Sequence, residues 1–388
     1  MADNYEKEIK TALQKNDQAL AAKKAKMYLD KMNNILVNIA ITGEGGAGKS
    51  TLVNALRGIR NVTEGAAPTG VVETTMKPTE YLYPEHANIR IWDLPGVGTT
   101  KFKAAKYLKK VGFEKYDFFI IVSNDRFREN DAKLAKEIQK MKKKFYFVRS
   151  KIDNSINSQK EDNPNVQEEE VLNIIRNYCT KELKRLGFES PKIFLVYGLR
   201  LHLYEFEGLR TTLMEELPEH QRDALLLALP ITSLEAIEQK KKTLEKKIIW
   251  FTVTSTAAAA APVPGLPEAV NVGIIMGFTV DCAVSLGLTP KLLRKLSELS
   301  GVPLDDLKAE TKSPLAAVEI TKDLMLKVLK KSSPFIAATA LQGGATFVPV
   351  LGIPFAMIIS GVTTYQALTY ILNSLADDAQ SVFLKAWG

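Results

Sequence analysis

GEGGAGKS, residues 43–50, is the stretch that decides the fold. It matches G-x-x-x-x-G-K-[ST] and stands between an apolar run, Ile35–Thr42, and a helix-forming stretch, Thr51–Leu56. A phosphate-binding loop requires that strand–loop–helix context. Its glycines let the backbone wrap tightly, so that N–H groups converge on phosphate oxygens at a helix N-terminus. Glu44, Gly45, Gly46, Ala47, Gly48, Lys49, Ser50 and Thr51 are therefore the expected phosphate cradle. Lys49 is expected to reach the β- and γ-phosphates, and Ser50 to offer its hydroxyl to Mg²⁺.

Outward from this loop, short apolar runs alternate with polar helical stretches. Strands are predicted at Ile35–Thr42, Ile89–Leu94, Phe118–Ser123, Phe145–Arg149 and Ile193–Val196. Helices are predicted around 50–57, 102–111, 128–142 and 167–185. Apolar strands separated by helices imply an α/β domain with an open, mostly parallel sheet covered on both faces.

Two further motifs follow strands in the right order. DLPG, Asp93–Gly96, puts a carboxylate where it can hold Mg²⁺ directly or through water. Gly96 can then offer its N–H to a γ-phosphate, a contact that reports which nucleotide is bound. SKID, Ser150–Asp153, ends the strand Phe145–Arg149. A carboxylate at Asp153 accepts two hydrogen bonds from guanine N1–H and its 2-amino group, a donor pair that adenine lacks. Lys151 would pack its stem along the base, and Ser150 stands where asparagine is usual. GTP or GDP with Mg²⁺ is the expected ligand set. Between the first two motifs, GAAPTGVVETTM (65–76) occupies the place of a switch loop, with Thr69, Thr74 and Thr75 as alternative hydroxyls for Mg²⁺. Val97 follows DLPG where Ras-like enzymes carry a water-orienting glutamine. A valine cannot polarise water, so intrinsic hydrolysis is expected to be slow unless a partner supplies a group.

Composition sets the outer limits. The 388 residues suggest two or three domains at roughly 150 each. With 46% hydrophobic and 25% charged residues, wholesale disorder is excluded. Lys+Arg at 52 against Asp+Glu at 44 gives +8, which suits a nucleotide or an anionic membrane surface. The lysines at 140–144 lack interleaved aromatics, so they read as a solvated helix end with no nucleic-acid partner. Two cysteines, Cys179 and Cys282, exclude a disulfide scaffold and fit a reducing compartment. No apolar signal core opens the chain, and Ala2 stands where myristoylation needs glycine.

Residues 1–34 read as helical, with Ile9, Leu13, Leu20, Met27 and Leu29 forming an apolar stripe. After Phe206 strand signals stop, and short helices at 209–217 and 221–229 precede a long one at 233–250 carrying Lys240, Lys241, Lys242, Lys246 and Lys247. Hydrophobicity then concentrates in two runs without Asp, Glu, Lys or Arg, 248–267 and 332–376. PVPGLP (262–267) and PVLGIP (349–354) suggest a weak internal repeat. A buried helical-bundle core is the leading reading of the uncharged runs. Peripheral membrane contact beside the lysines comes next, and true spanning last, because Pro349 and Pro354 break the segment 347–362.

The motifs resemble those of the interferon-inducible immunity-related GTPases. The likeness is carried by GEGGAGKSTLVNALRG (43–58), EGAAPTGVVETTM (64–76), IWDLPGVGTTKF (91–102), YDFFIIVSNDRFRENDAKLAKEI (116–138) and KKKFYFVRSKID (142–153). Lys49 matches the effector-like branch, in contrast to the regulatory branch with methionine there. The resemblance implies a GTPase domain at 35–205 inserted in an all-α helical domain formed by both chain ends, the N-terminal helical segment at 1–34 and the C-terminal helical domain at 206–388. It also implies GTP-dependent homodimers or oligomers meeting across their nucleotide faces. Their expected place is cytoplasmic, peripherally attached to intracellular vacuolar membranes. By the same likeness, Glu73 would matter for activation across the dimer, and Thr69 and Thr75 would lie in the functional switch. The expected catalytic set is Lys49, Glu73, Thr75 and Gly96, and the expected metal set is Ser50, Thr75 and Asp93. The chain departs from the family pattern at VYGLR (196–200), where Tyr197 and Gly198 become the expected base contacts. An alternative function is a nucleotide-gated binding module that recruits lipid or protein partners with negligible turnover.

Overall fold

The computed structural model describes residues 2–70, 75–97, 103–125, 127–259, 266–329, 331, 347–348, 353–354 and 361–388. The chain divides into two compact units, Leu36–Thr232, and Met1–Ile35 together with Ser233–Gly388.

The first unit is built on a six-stranded sheet. Its strands are β1 (Val37–Gly43), β2 (Thr79–Tyr83), β3 (His86–Asp93), β4 (Phe118–Ser123), β5 (Lys144–Arg149) and β6 (Ile193–Leu195), in the order β2-β3-β1-β4-β5-β6. All neighbours run parallel except β2, which is antiparallel to β3. Burial follows position in the sheet. Every residue of β4 is buried, as a strand covered on both faces requires, whereas β3 alternates and the edge strand β2 is mostly open. Helices α3 (Lys49–Leu56), α4 (Ala104–Val111), α5 (Glu129–Lys140), α6 (Ile152–Asp162) and α7 (Glu168–Arg185) link the strands. A core of Leu108, Tyr116, Phe119, Leu134, Phe147 and Leu183 lies between sheet and helices. Register places Ile41 beside Asp93 and Gly43 beside Val122, so the loops that follow β1, β3 and β4 share one sheet edge. That edge is where open α/β sheets bind ligands.

This unit continues past residue 205, so α8 (Phe206–Glu216) and α9 (Glu219–Ala228) join the sheet and not the helical domain expected from the sequence. Their side chains explain the difference. Glu216 accepts from the Tyr146 hydroxyl at 2.8 Å, and Gln221 Nε2 donates to Asp117 Oδ1 at 2.9 Å.

In the second unit, α1 (Ala2–Gln14) and α2 (Gln18–Asn33) meet α10 (Leu234–Ala259), which also packs against α11 (Leu266–Ser285) and α14 (Gly361–Trp387). Short α12 (Pro290–Ser300) and α13 (Leu304–Ala309) follow α11. Ile9, Leu13, Ala25, Tyr28 and Leu29 bury against Ile249, Trp250 and Val253. The stripe read across 1–34 is broken: Asn16 turns at φ 58°, and Asp17 caps α2 by accepting from Leu20 N at 3.0 Å. The helical phase restarts there, which leaves Leu20 and Met27 exposed.

Much of the described length of the uncharged runs contributes to the core of this unit. Trp250, Val253, Ser255, Leu368, Ile371 and Leu375 are all buried. The lysine cluster is partly spent within this unit, since buried Lys240 donates to Ser285 O at 2.8 Å and Lys247 pairs with Asp281 at 3.4 Å. The apolar stretch Val272–Ser300 has the length and composition to cross a membrane, but half of its most apolar part is buried and Gly287 turns the chain before Pro290 opens α12. Most of the PVPGLP and PVLGIP segments lies outside the described residues; Phe347–Val348 (β7) pairs antiparallel with Ile353–Pro354 (β8).

Candidate nucleotide site

The loop between β1 and α3 is shaped by glycines that admit no side chain. A Cβ on Gly43 would meet Val122 O at 2.1 Å, and Gly48 caps α3 at φ 89°. Gly45 and Gly46 form the exposed tip, whereas Ala47 is buried. Lys49, 6% exposed, folds back to donate to Glu44 O at 2.8 Å, and the Glu44 carboxylate pairs with Arg128 at 3.0 Å. A phosphate group in this loop would offer Lys49 a charged acceptor in place of a carbonyl.

Beside the loop, three oxygens from three elements converge. Ser50 Oγ on α3 donates to Asp93 Oδ2 at 2.6 Å, and Thr75 Oγ1 donates to the same oxygen at 2.9 Å. Asp93 is fully buried and its Oδ1 has no hydrogen-bond partner. Burial pushes its carboxyl above the usual range, and the bonds from Ser50 and Thr75 and the charge of Lys49 partly offset that. A buried acceptor left open beside two hydroxyls is the hard-oxygen donor set that suits Mg²⁺. Among the candidate switch hydroxyls, Thr75 reaches Asp93, Thr69 is exposed to solvent, and Thr74 lies outside the described residues, as does Glu73. Gly96 follows two residues after Leu94, whose N–H donates to Ile41 O at 3.0 Å, so DLPG lies against the end of β1. Val97 is 1% exposed and packs into the core.

The base end is built by the ends of β5 and β6. Ser150 is buried and its hydroxyl donates to Ala47 O at 2.6 Å, joining the SKID loop to the phosphate loop. Lys151 takes a left-handed conformation at φ 54° and reaches across to Gly46 O at 3.0 Å. Asp153, in the first turn of α6, has a buried Oδ1 with no partner, as an acceptor for a base edge would. Gly198 sits so close to α3 that a Cβ there would stand 3.3 Å from the Thr51 methyl. Tyr197 opens the same turn, its carbonyl accepting from Arg200 N at 3.0 Å.

Three residues outside the sequence-predicted set brace this site. Arg149 is buried and holds both flanks of the SKID loop, donating to Ser150 O at 2.9 Å and Ser155 Oγ at 3.2 Å. Asn54, fully buried on α3, accepts from Ala67 N at 2.7 Å and donates to Ala67 O at 2.9 Å and Asn61 Oδ1 at 3.0 Å. Arg57 donates to Gly65 O at 3.0 Å and Leu82 O at 2.9 Å, one bond at each side of the switch segment. Asn54 stands two residues from both Leu52 and Leu56, on the opposite face of α3, so helical periodicity offered no signal for it.

The family model of the interferon-inducible GTPases matches residues 3–386. The chain belongs to that family. Interferon-inducible GTPase 5 of Rattus norvegicus is 39% identical over 389 residues, covering all of this chain and 83% of its own length. Interferon-gamma-inducible GTPase 10 of Mus musculus is 38% identical over 90% of this chain and 81% of its own. Among solved structures, Era of Aquifex aeolicus bound to GDP and AlF4⁻ aligns over 57% of this chain and 70% of that one, at 19% identity and a TM-score of 0.35. That score carries no weight beside the sheet order. Membership of this GTPase family supports guanine-nucleotide binding and, in general, nucleotide hydrolysis.

Proposed function

We propose that this interferon-inducible GTPase hydrolyses GTP with Mg²⁺ and is activated when two copies meet across their nucleotide faces. The observation that carries the reading is the Asp93 centre: a buried carboxylate with one open oxygen, flanked by the Ser50 and Thr75 hydroxyls. Mg²⁺ held there would offset charge developing on the β- and γ-phosphate oxygens. Lys49 binds those phosphates, Gly96 reports the γ-phosphate, and Asp153 with Tyr197 and Gly198 holds the base. Assembly as the source of activation is supported by Val97, whose buried side chain orients no water. Glu73 is the residue in this reading that acts across the homodimer.

The cytoplasmic location and the peripheral attachment to anionic vacuolar membranes are supported by the family resemblance and by the uncharged residues that lie outside the described ones. GTP turnover measured from nanomolar to tens of micromolar protein, with light scattering and with or without anionic liposomes, tests the whole reading. Turnover per molecule should rise with concentration and with nucleotide-driven scattering. A flat turnover number would remove activation by assembly. Negligible phosphate release at every concentration, with tight GDP binding retained, would favour the nucleotide-gated binding module that buried Val97 also permits.

A further inference from the structure

The peptide that carries the Gly96 N–H is held from behind. Leu94 N donates to Ile41 O at 3.0 Å and Val97 N donates to Gly43 O at 3.2 Å, which ties the backbone to β1 on either side of Pro95 and Gly96. Between those ties the Tyr107 hydroxyl, carried on α4, donates to Pro95 O at 2.8 Å. The same hydroxyl lies 3.0 Å from Thr42 Oγ1, on a fully buried residue at the end of β1. A phenol has one proton, so with that proton on Pro95 O the Thr42 hydroxyl must be the donor to Tyr107. A trans peptide is planar, with its C=O and N–H pointing in opposite directions. Drawing the Pro95 carbonyl toward α4 therefore turns the Gly96 N–H of the same peptide away from α4.

We propose that Tyr107, oriented by Thr42, is a positioning residue that presents the Gly96 N–H to the γ-phosphate and so sets the preference for GTP over GDP. This rests on the reading of Gly96 as the γ-phosphate reporter. The geometry makes a specific demand, because GDP has no γ-phosphate and should not register the orientation of this peptide. The Tyr107 ring also packs at the edge of the sheet core, so a purely structural role would weaken both nucleotides alike.

The test is equilibrium binding of GDP and of GTPγS, with Mg²⁺, to the full chain and to three variants. Tyr107→Phe keeps the ring and removes the hydroxyl. It should weaken GTPγS about three- to tenfold, the range of one neutral hydrogen bond, and leave GDP within about twofold. Thr42→Val should shift the ratio in the same direction by less, and Thr42→Ser, which keeps a hydroxyl, should restore it. Equal weakening of both nucleotides, or no change in the ratio, overturns the proposal. Wild-type protein that binds neither nucleotide would instead overturn the reading of the site itself. Circular dichroism establishes that each variant is folded. If Tyr107→Phe is not, the Thr42→Val and Thr42→Ser pair decides by the same ratio.

Discussion

Replacing Asn54 by alanine forces a choice on the stem of the switch loop. The side chain is fully buried, and Ala67, whose backbone it clasps through both N–H and C=O, is fully buried too. If the stem stays in place, both Ala67 groups lose their partner away from water, at about 1–3 kcal/mol each, or about 2–6 kcal/mol together. If the stem lifts away instead, it loses the burial of one methyl, about 1 kcal/mol, and the Arg57 bond to Gly65 O, about 0.5–1.5 kcal/mol. Each freed residue also regains about 1–2 kcal/mol of backbone entropy. Lifting is cheaper. With Asn54 intact it would also break the three side-chain bonds, and that is why the wild-type stem stays down. Asn54→Ala should therefore open the stem locally without unfolding the sheet.

Native-state hydrogen exchange measures this directly. The reporters are the amides of Thr63, Ala66 and Ala67, bonded to Arg60 O, Thr63 O and Asn54 Oδ1. Three lost bonds at about 0.5–1.5 kcal/mol each predict exchange roughly ten- to thousandfold faster there, while the amides of β1 and β4 hold their protection. Unchanged protection at 63–67 would refute the reasoning. So would an equal loss across the sheet, which would mean that the whole domain bears the cost.

Three other outcomes are expected. Ser50→Ala removes the hydroxyl that lies 2.6 Å from Asp93 Oδ2, so GTP affinity should fall in Mg²⁺ and stay unchanged in EDTA; an equal fall in both would show that the hydroxyl does not serve the metal. Asp153→Asn should weaken GDP about 10- to 100-fold, through loss of hydrogen bonds to a charged acceptor, and should shift preference toward xanthosine diphosphate, whose 2-oxo group accepts from an amide; competition binding with both nucleotides checks it. Asp131 is 1% exposed with Oδ1 unpartnered, and burial pushes its carboxyl up to about 7 although the Arg128 N–H and nearby cations oppose the rise. A folded pKa above the unfolded value means that the protonated form is favoured in the native state. Its stabilising contribution is full below about pH 4 and is lost as pH rises to about 7, to the extent of about 4 kcal/mol. Asp131→Asn should flatten that part of the melting curve against pH and be relatively most stabilising at pH 8; identical pH slopes for variant and wild type would contradict it.

What could be read from the residues alone follows the range of the interactions. The phosphate loop, DLPG and SKID are each a few consecutive residues at the end of a strand, so their chemistry is local and legible. The boundary after residue 205 was not, because α8 and α9 are amphipathic like any helix, and it takes tertiary contacts such as those of Glu216 and Gln221 to show that they belong to the sheet. The motifs do not separate Thr69, Thr74 and Thr75, for a connected reason, and only the family resemblance points to Thr75. Neither neighbouring residue nor period says which hydroxyl approaches the carboxylate. The answer lies in β2, TEYLY at 79–83, which was missed because an edge strand open on one face and only five residues long has no apolar run. Its antiparallel pairing sets Thr79 directly opposite Asp93. Thr75, four residues before Thr79, is thereby anchored near the end of β3, while Thr69 stands ten positions before that anchor. A shift of this pairing by one residue would put Thr79 on the other face of the sheet and take the Thr75 hydroxyl out of reach of Asp93. The geometry around Asp93 thus depends on a register that the motifs themselves do not contain.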